Sequence, residues 1–420
     1  MIAQIQRLLF IALIVNALTI LVFIVGVSNG AFELILQKEP TAFQDFFKYY
    51  ACGEMVLSQP GQNPYAPELQ TRVLKEITSS VCVKGGANKN ELPSQYLYPT
   101  DYPPFVYPIM APLALLAPQQ GLACWWLLSF SMLIGATFIS TEQNKMRTAL
   151  IVLGTLACVE AWRAVGMGQT TFFILSFLYL FTFSFLKNND IACSIALVFT
   201  MLKVQYAPFL LVPLLARKCW RILLIAGLLL FFSIVFTGLV MGPAIFSNYF
   251  SSLGQIESGD PFMSSMICAK GILSYFLSGQ ILTMVVLGIL ILALVILWLF
   301  WTKANTPEKQ AWTFALTICF ALLASPHTQS YDVILLSAAA ILTLPRGNLI
   351  GNRNISPINI WTNMIIAFPI VSVFLSRTNY FWHALGSIVY LGLLSHIAIR
   401  QLKTLARMPE NVPKQISVQT

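Results

Sequence analysis

Residues 280–302 read QILTMVVLGILILALVILWLFWT, and no charged residue interrupts the chain between Lys270 and Lys303. At 1.5 Å per residue this run is long enough to cross the hydrocarbon core of a bilayer as a helix, and it is too apolar all round to form one face of a soluble domain. Working outward, further apolar cores recur near 8–28, 105–140, 148–165, 170–186, 190–203, 206–216, 221–241, 311–325, 331–344, 361–376 and 380–399. The 105–140 stretch holds one span plus a membrane-dipping approach. Composition agrees: hydrophobic residues make up 57% of the chain and charged residues 10%, where a soluble domain carries roughly 25%. The sequence therefore predicts an all-α polytopic membrane protein of about twelve transmembrane helices.

The runs at 190–203 and 206–216 are short. They predict a broken pair around Lys203-Val204-Gln205-Tyr206, which membrane depth tolerates only where the backbone faces protein or water. The first run follows Arg7 and has no clear small-residue cleavage pattern, so it reads as a retained signal anchor. Basic residues set orientation. A cytoplasmic N-terminus puts Lys145, Arg147, Lys187, Arg217, Lys218 and Arg221 inside with most of the other cations, and the acidic residues lean to the opposite face. Both termini are then cytoplasmic, and the protein sits as a multi-pass protein in a cell membrane, read as a bacterial inner membrane. Residues 1–406 form a single transmembrane domain and 407–420 a cytoplasmic tail. Residues 30–104 are a large first extracytoplasmic loop, and 242–279 a second. In the first loop Pro67-Glu68 opens a helix with Leu69, Val73, Ile77 and Val81 on one stripe, as expected of an amphipathic helix lying on the membrane surface. Residues 246–253 and 263–277 are expected to do the same in the second.

The formal charge of +9 does not indicate a nucleic-acid partner, because the cations lie mainly in short loops between apolar runs. The eight cysteines show no metal-binding spacing. Most fall in spans and read as small apolar packers; Cys52 and Cys82 share the first loop, where a disulfide between them remains open.

Titratable residues gather at the extracytoplasmic ends. Asp45 opens the aromatic run Asp45-Phe46-Phe47-Lys48-Tyr49-Tyr50, and a helix there pairs Asp45 with Tyr49 at i, i+4. A carboxylate in this position can act as a general base toward an acceptor hydroxyl; the bland alternative is a helix cap or a surface salt bridge. Lys203 in a membrane segment is costly and suggests an anionic phosphate as partner, against simple snorkelling. Arg163 precedes Gly166-Met167-Gly168-Gln169, where the glycines permit close approach of a ligand and Gln169 can bond a sugar hydroxyl; a Glu160–Arg163 helical ion pair is the alternative. His327 and Asp332 lie in Ser325-Pro326-His327-Thr328-Gln329-Ser330-Tyr331-Asp332, placed to donate to a phosphate or to orient one another. Tyr102-Pro103-Pro104-Phe105 fixes the backbone where the loop re-enters the membrane. With only 3 histidines, widely dispersed, a histidine-rich metal site is not expected. Asp45 with Asp332 or Asp101 can supply oxygen ligands to a divalent ion, though nothing requires one. No cofactor is expected.

These pieces together resemble glycosyltransferase family 87. The resemblance runs over roughly residues 40–335 and is carried by Asp45-Phe46 with the following tyrosines, Asn63-Pro64-Tyr65, Tyr102-Pro103-Pro104-Phe105, Gly168-Gln169 opening a span, Lys203 in a broken span, and Ser325-Pro326-His327 with Tyr331-Asp332. It implies a GT-C-like fold and an inverting transfer of a sugar, mannose in some members, from a polyprenyl-phosphate donor to a hydroxyl of a glycolipid or glycan acceptor. Asp45 is then the base, and Lys203 and His327 lie near the donor phosphate; the topology, more than the resemblance, adds Arg163 to the phosphate and sets Gln169, with Tyr49, Asp332 and Tyr102, at the substrate. Residues 82–100 add a polar stretch beyond these motifs, so the mannose assignment does not transfer with them. A transporter or flippase of a lipid-linked sugar, and a polymer ligase using a lipid diphosphate, are the competing readings.

Overall fold

The computed structural model describes residues 43–82, 102–156, 159–256, 266–343 and 380–407. The expected spans near 8–28 and 361–376, Asp101 and the polar stretch 83–100 lie outside the described residues, as does the Cys82 side chain. The described residues are mostly helical and contain no β-strand, only an isolated antiparallel bridge between Met266 and Gln329.

In chain order the helices are α1 Gln44–Ser58, α2 Pro67–Cys82, α3 Val106–Ala114, α4 Pro118–Ser140, α5 Lys145–Leu156, α6 Val159–Met167, α7 Thr171–Leu186 and α8 Asp190–Thr200. They continue with α9 Ala207–Ala216, α10 Trp220–Met241, α11 Ala244–Ile256, α12 Ala269–Leu273, α13 Gly279–Trp301, α14 Pro307–Ala324, α15 Leu336–Thr343 and α16 Tyr380–Arg407. Local chemistry explains several ends. Pro118 and Pro307 stand in the first turns of α4 and α14, where a missing N–H costs nothing. The Asn189 carboxamide caps α8 by accepting from Ala192 N at 3.1 Å.

Among the described residues, five segments are by length and composition apolar enough to cross a membrane: α4, the run Asp190–Ala216, α10, α13 and Ala384–Arg407. A sixth results if α5 and α6, bent by 73° to each other, count as one span. Only 17% of the apolar window of α10 and 22% of that of α13 is buried by protein. Leu239, Phe231, Phe232 and Met284 stand exposed there, an apolar surface of the kind that a membrane covers. About twelve spans were expected from the sequence; the remaining described candidates, such as α7, are shorter.

The run 190–216 is not a single rod. Arg221 Nε lies 3.5 Å from Asp190 Oδ2, and Ser194 Oγ donates to Ile222 O at 3.0 Å. A straight helix over 190–216 would be about 40 Å long. The chain from 217 to 221 reaches at most about 14 Å. The arms α8 and α9 therefore fold back on each other at the 3₁₀ turn Met201–Tyr206, where Lys203 takes the non-helical φ −117°, ψ 81°. This is the broken pair read from the sequence, with Lys203 at its tip.

One expectation is corrected. The apolar stripe of α2 does not face lipid: Leu69, Val73 and Ile77 are buried, together with Leu74, and the helix packs on α1 within the protein core. The stripe's periodicity is that of any half-buried helix, and a protein surface satisfies it as well as a membrane does. In the second loop, 246–253 lies in α11; of the helix expected over 263–277, the described residues 266–277 form only the short α12.

Candidate active site

α6 ends with carbonyls that have no intrahelical partner. Phe43 N donates to Gly166 O at 2.6 Å, Trp126 Nε1 to Val165 O at 3.2 Å, and Trp125 Nε1 to Gly168 O at 3.0 Å. Three donors from two other segments thus pin the connection between α6 and α7. Gly168 has φ +70°, and a Cβ on it would lie 2.4 Å from Phe46 Cβ. Glycine is required there twice over, by conformation and by contact. The close approach expected of a ligand is made by α1, the helix that carries Asp45.

That connection aims Gln169 at Asp45. Gln169 Nε2 donates a short hydrogen bond to Asp45 Oδ2 and a second, 2.9 Å long, to Tyr331 Oη. The Tyr331 ring faces Lys203, whose Nζ stands 4.8 Å from the ring centroid. Lys203 Nζ forms a short ion pair with Asp332 Oδ1 and donates to Thr171 Oγ1 at 3.0 Å. Thr171 Oγ1 in turn donates to Asp332 Oδ1 at 3.0 Å, and Asp332 Oδ2 accepts from Gln329 N at 3.3 Å. A continuous chain of polar contacts therefore runs from Asp45 through Gln169 and Tyr331 to Lys203 and Asp332. It joins α1, the start of α7, the tip of the broken pair and the 3₁₀ turn Ser330–Leu335.

Burial sets the electrostatics. Asp45 is 8% exposed. Burial pushes its carboxyl above the usual carboxylate range; Lys48, the Gln169 hydrogen bond, Lys203 and His327 pull the other way without cancelling it. Burial also raises the phenols of Tyr49 and Tyr102. Lys203 and Asp332 are nearly inaccessible, with side chains 9% and 1% exposed, so each is the other's charge compensation.

The remaining candidates lie around this chain. Tyr49 is buried, stacked between Tyr102 (4.3 Å) and Trp125 (5.8 Å), with Oη 3.2 Å from Thr170 Oγ1; it belongs to the site's wall. Tyr102 is half-buried on top of it. Arg163 is ion-paired to the buried Glu160 at 3.2 Å, the alternative the spacing allowed, and also reaches Ser330 Oγ at 3.4 Å. His327 is exposed, and its carbonyl accepts from Gln205 Nε2 at 3.1 Å. Thr171, Lys48 and the role of Tyr331 escaped sequence reading. Tyr331 stood in a motif that was singled out, but its contact with Gln169 is fixed by packing. Among the described residues no three His, Cys, Asp or Glu side chains meet as a metal site. One residue before Lys203, Leu202 lines an apolar crevice of about 200 Å³ together with Phe105, Ile109, Ile195, Phe199 and Leu229.

A buried carboxylate and a buried ammonium are thus joined by a polar chain inside a bundle of apolar helices, the architecture of a polytopic membrane protein. The family is shown directly: the model of glycosyltransferase family 87 matches residues 100–326, and the chain belongs to that family of membrane glycosyltransferases. Arg163, Gln169 and Lys203 fall inside the match; Asp45, His327, Tyr331 and Asp332 fall outside it. Comparison with curated proteins and with solved structures gives no match.

Proposed function

We propose that this glycosyltransferase moves a sugar from a polyprenyl-phosphate donor to a hydroxyl of a glycolipid or glycan acceptor, with inversion, at the extracytoplasmic side of a cell membrane. The observation that carries the reading is the meeting of Asp45 with the Lys203 centre through Gln169 and Tyr331. Asp45 is the general base. As the acceptor oxygen bonds to the anomeric carbon, its proton passes to the Asp45 carboxylate. The bond from that carbon to the phosphate oxygen breaks, and its electron pair leaves with the polyprenyl phosphate. Attack opposite the leaving group inverts the anomeric centre. A phosphate leaves without protonation, so one carboxylate suffices where glycoside hydrolysis uses two.

Lys203, His327 and Arg163 stabilise the charge that develops on the phosphate. Because Asp332 and Glu160 already compensate two of these cations, the phosphate joins balanced pairs rather than meeting bare charges. The crevice beside Leu202 supports a lipid donor, since its apolar lining suits an isoprenoid chain whose phosphate ends near Lys203. Tyr102 and the wall behind it line the acceptor side.

A donor screen tests this reading. Purified protein is offered polyprenyl-monophosphate sugars, lipid-diphosphate sugars and nucleotide sugars, and products are read by mass. Product from the monophosphates alone is expected. Product only from a diphosphate supports the ligase reading, and product only from a nucleotide sugar removes the lipid donor. Movement of a lipid-linked sugar across a proteoliposome without a new glycoside supports the transporter.

A further inference from the structure

Gln169 was read from the sequence as a donor to a sugar hydroxyl, and its surroundings give it other work. It is 5% exposed, between Gly168 at φ +70° and the fully buried Thr170 and Thr171. Its own N–H is held by Ala164 O at 2.9 Å. A carboxamide nitrogen has two hydrogens. Here one points to Asp45 Oδ2 and the other to Tyr331 Oη, so the NH₂ group has none left for a substrate. Asp45 Oδ1, by contrast, has no hydrogen-bond partner among the described residues.

We infer that Gln169 is a positioning residue for Asp45: its amide nitrogen, anchored on Tyr331, holds Oδ2 and so presents Oδ1 as the atom that receives the acceptor's proton. The proposed role of Asp45 as base underlies the second half of this statement; the clamp itself does not depend on it. The arrangement also fixes the distance between base and cationic centre. Tyr331 bonds Gln169 with its hydroxyl and covers Lys203 with its ring. A change at Gln169 therefore moves Asp45 relative to Lys203 without substituting either.

The charged and titratable groups facing Asp45 are Lys48 and Tyr49 on its own helix, with Lys203, His327, Tyr102 and Tyr331 from the elements packed against it. A test has to isolate the one carboxyl. Infrared difference spectra of the full-length protein in nanodiscs, recorded across pH with the Asp45→Asn spectrum subtracted, report the Asp45 C=O stretch alone.

Gln169→Leu removes a hydrogen bond to the charged form and is expected to raise the titration midpoint by about one pH unit or more. In the transfer assay kcat should fall by about 10²-fold, the cost of a misplaced catalytic group, with donor KM little changed. Gln169→Met keeps the length of the side chain without its amide hydrogens, so it too should raise the midpoint, and it serves if the leucine variant does not fold. A midpoint unmoved in the variant that folds overturns the clamp. If Asp45→Asn transfers sugar at the wild-type rate while Gln169→Leu moves the midpoint, the base assignment fails and the clamp stands. If Asp45→Asn is inactive and the midpoint does not move, the clamp alone fails.

Discussion

Lys203 Nζ is paired with Asp332 Oδ1 across 129 positions of chain, and Thr171 Oγ1 bonds to both at 3.0 Å. The contact ties the tip of the broken pair α8–α9 to the start of α7 and to the 3₁₀ turn Ser330–Leu335. Both side chains are removed from water, so neither charge is tolerable without the other.

Asp332→Leu should therefore destabilise the protein by about 3–5 kcal/mol, because it leaves a buried ammonium uncompensated. The double variant Lys203→Met/Asp332→Leu should recover much of that stability and none of the transfer activity. Thermal unfolding in detergent, run beside the transfer assay, separates the two effects. Activity at wild-type level in the folded double variant would remove Lys203 from the mechanism.

Gly168→Ala should cost activity through Asp45 without touching it. The new methyl group meets Phe46 Cβ at 2.4 Å, on a backbone with φ +70°, and pushes α1 away. A fall in kcat of about 10²-fold is expected. Gly166→Ala is the control: nothing lies within 4 Å of its added Cβ. Equal rates for the two variants would show that the close approach of α1 does not matter.

Burial raises the Asp45 carboxyl, and the sign of its effect on stability follows. The native state binds more protons than the unfolded one between the ordinary carboxylate value and the raised native value, so stability is lost as pH rises through that window. Asp45→Asn carries no such charge. Its melting temperature should exceed that of the wild type at neutral pH, with the difference shrinking as pH falls toward about 4. Melting curves that coincide at neutral pH would show that the ionised Asp45 is not strained by burial.

His327 is exposed, and the bond it accepts from Gln205 is made by its backbone. His327→Gln should leave stability within about 0.5 kcal/mol of wild type. If the imidazole bonds the donor phosphate, donor KM should rise about tenfold or more, the worth of a hydrogen bond to a charged group. An unchanged KM would take His327 out of the donor site.

The sequence made parts of this site legible for a physical reason. A charge inside an apolar run is costly, so Lys203 stood out, and the short runs flanking it announced a break that the structure places at the same residue; Asp332 was noticed only as part of the Ser325–Asp332 motif. Asp45 stood out because it opens an aromatic helix, found as α1. The partners were not legible. That Asp332 would neutralise Lys203, or that Gln169 would spend its amide on Asp45, depends on which ends of α1, α7 and α8 meet, and no local pattern encodes that. The Gly166-Met167-Gly168 stretch was read for a close approach by a ligand; at Gly168 the close neighbour is Phe46, and glycine looks the same in either case. The α2 stripe misled in the same way: periodicity gives a buried face and does not say what buries it.

The most direct measurement compares wild-type protein with Asp45→Asn on the best donor from the polyprenyl-monophosphate series, reading both the amount of glycoside and its anomeric configuration by NMR. The expected result is a product of inverted configuration from the wild type and none from a folded, membrane-inserted Asp45→Asn. Wild-type yield from Asp45→Asn, or a product of retained configuration, would contradict Asp45 as the base of a single displacement.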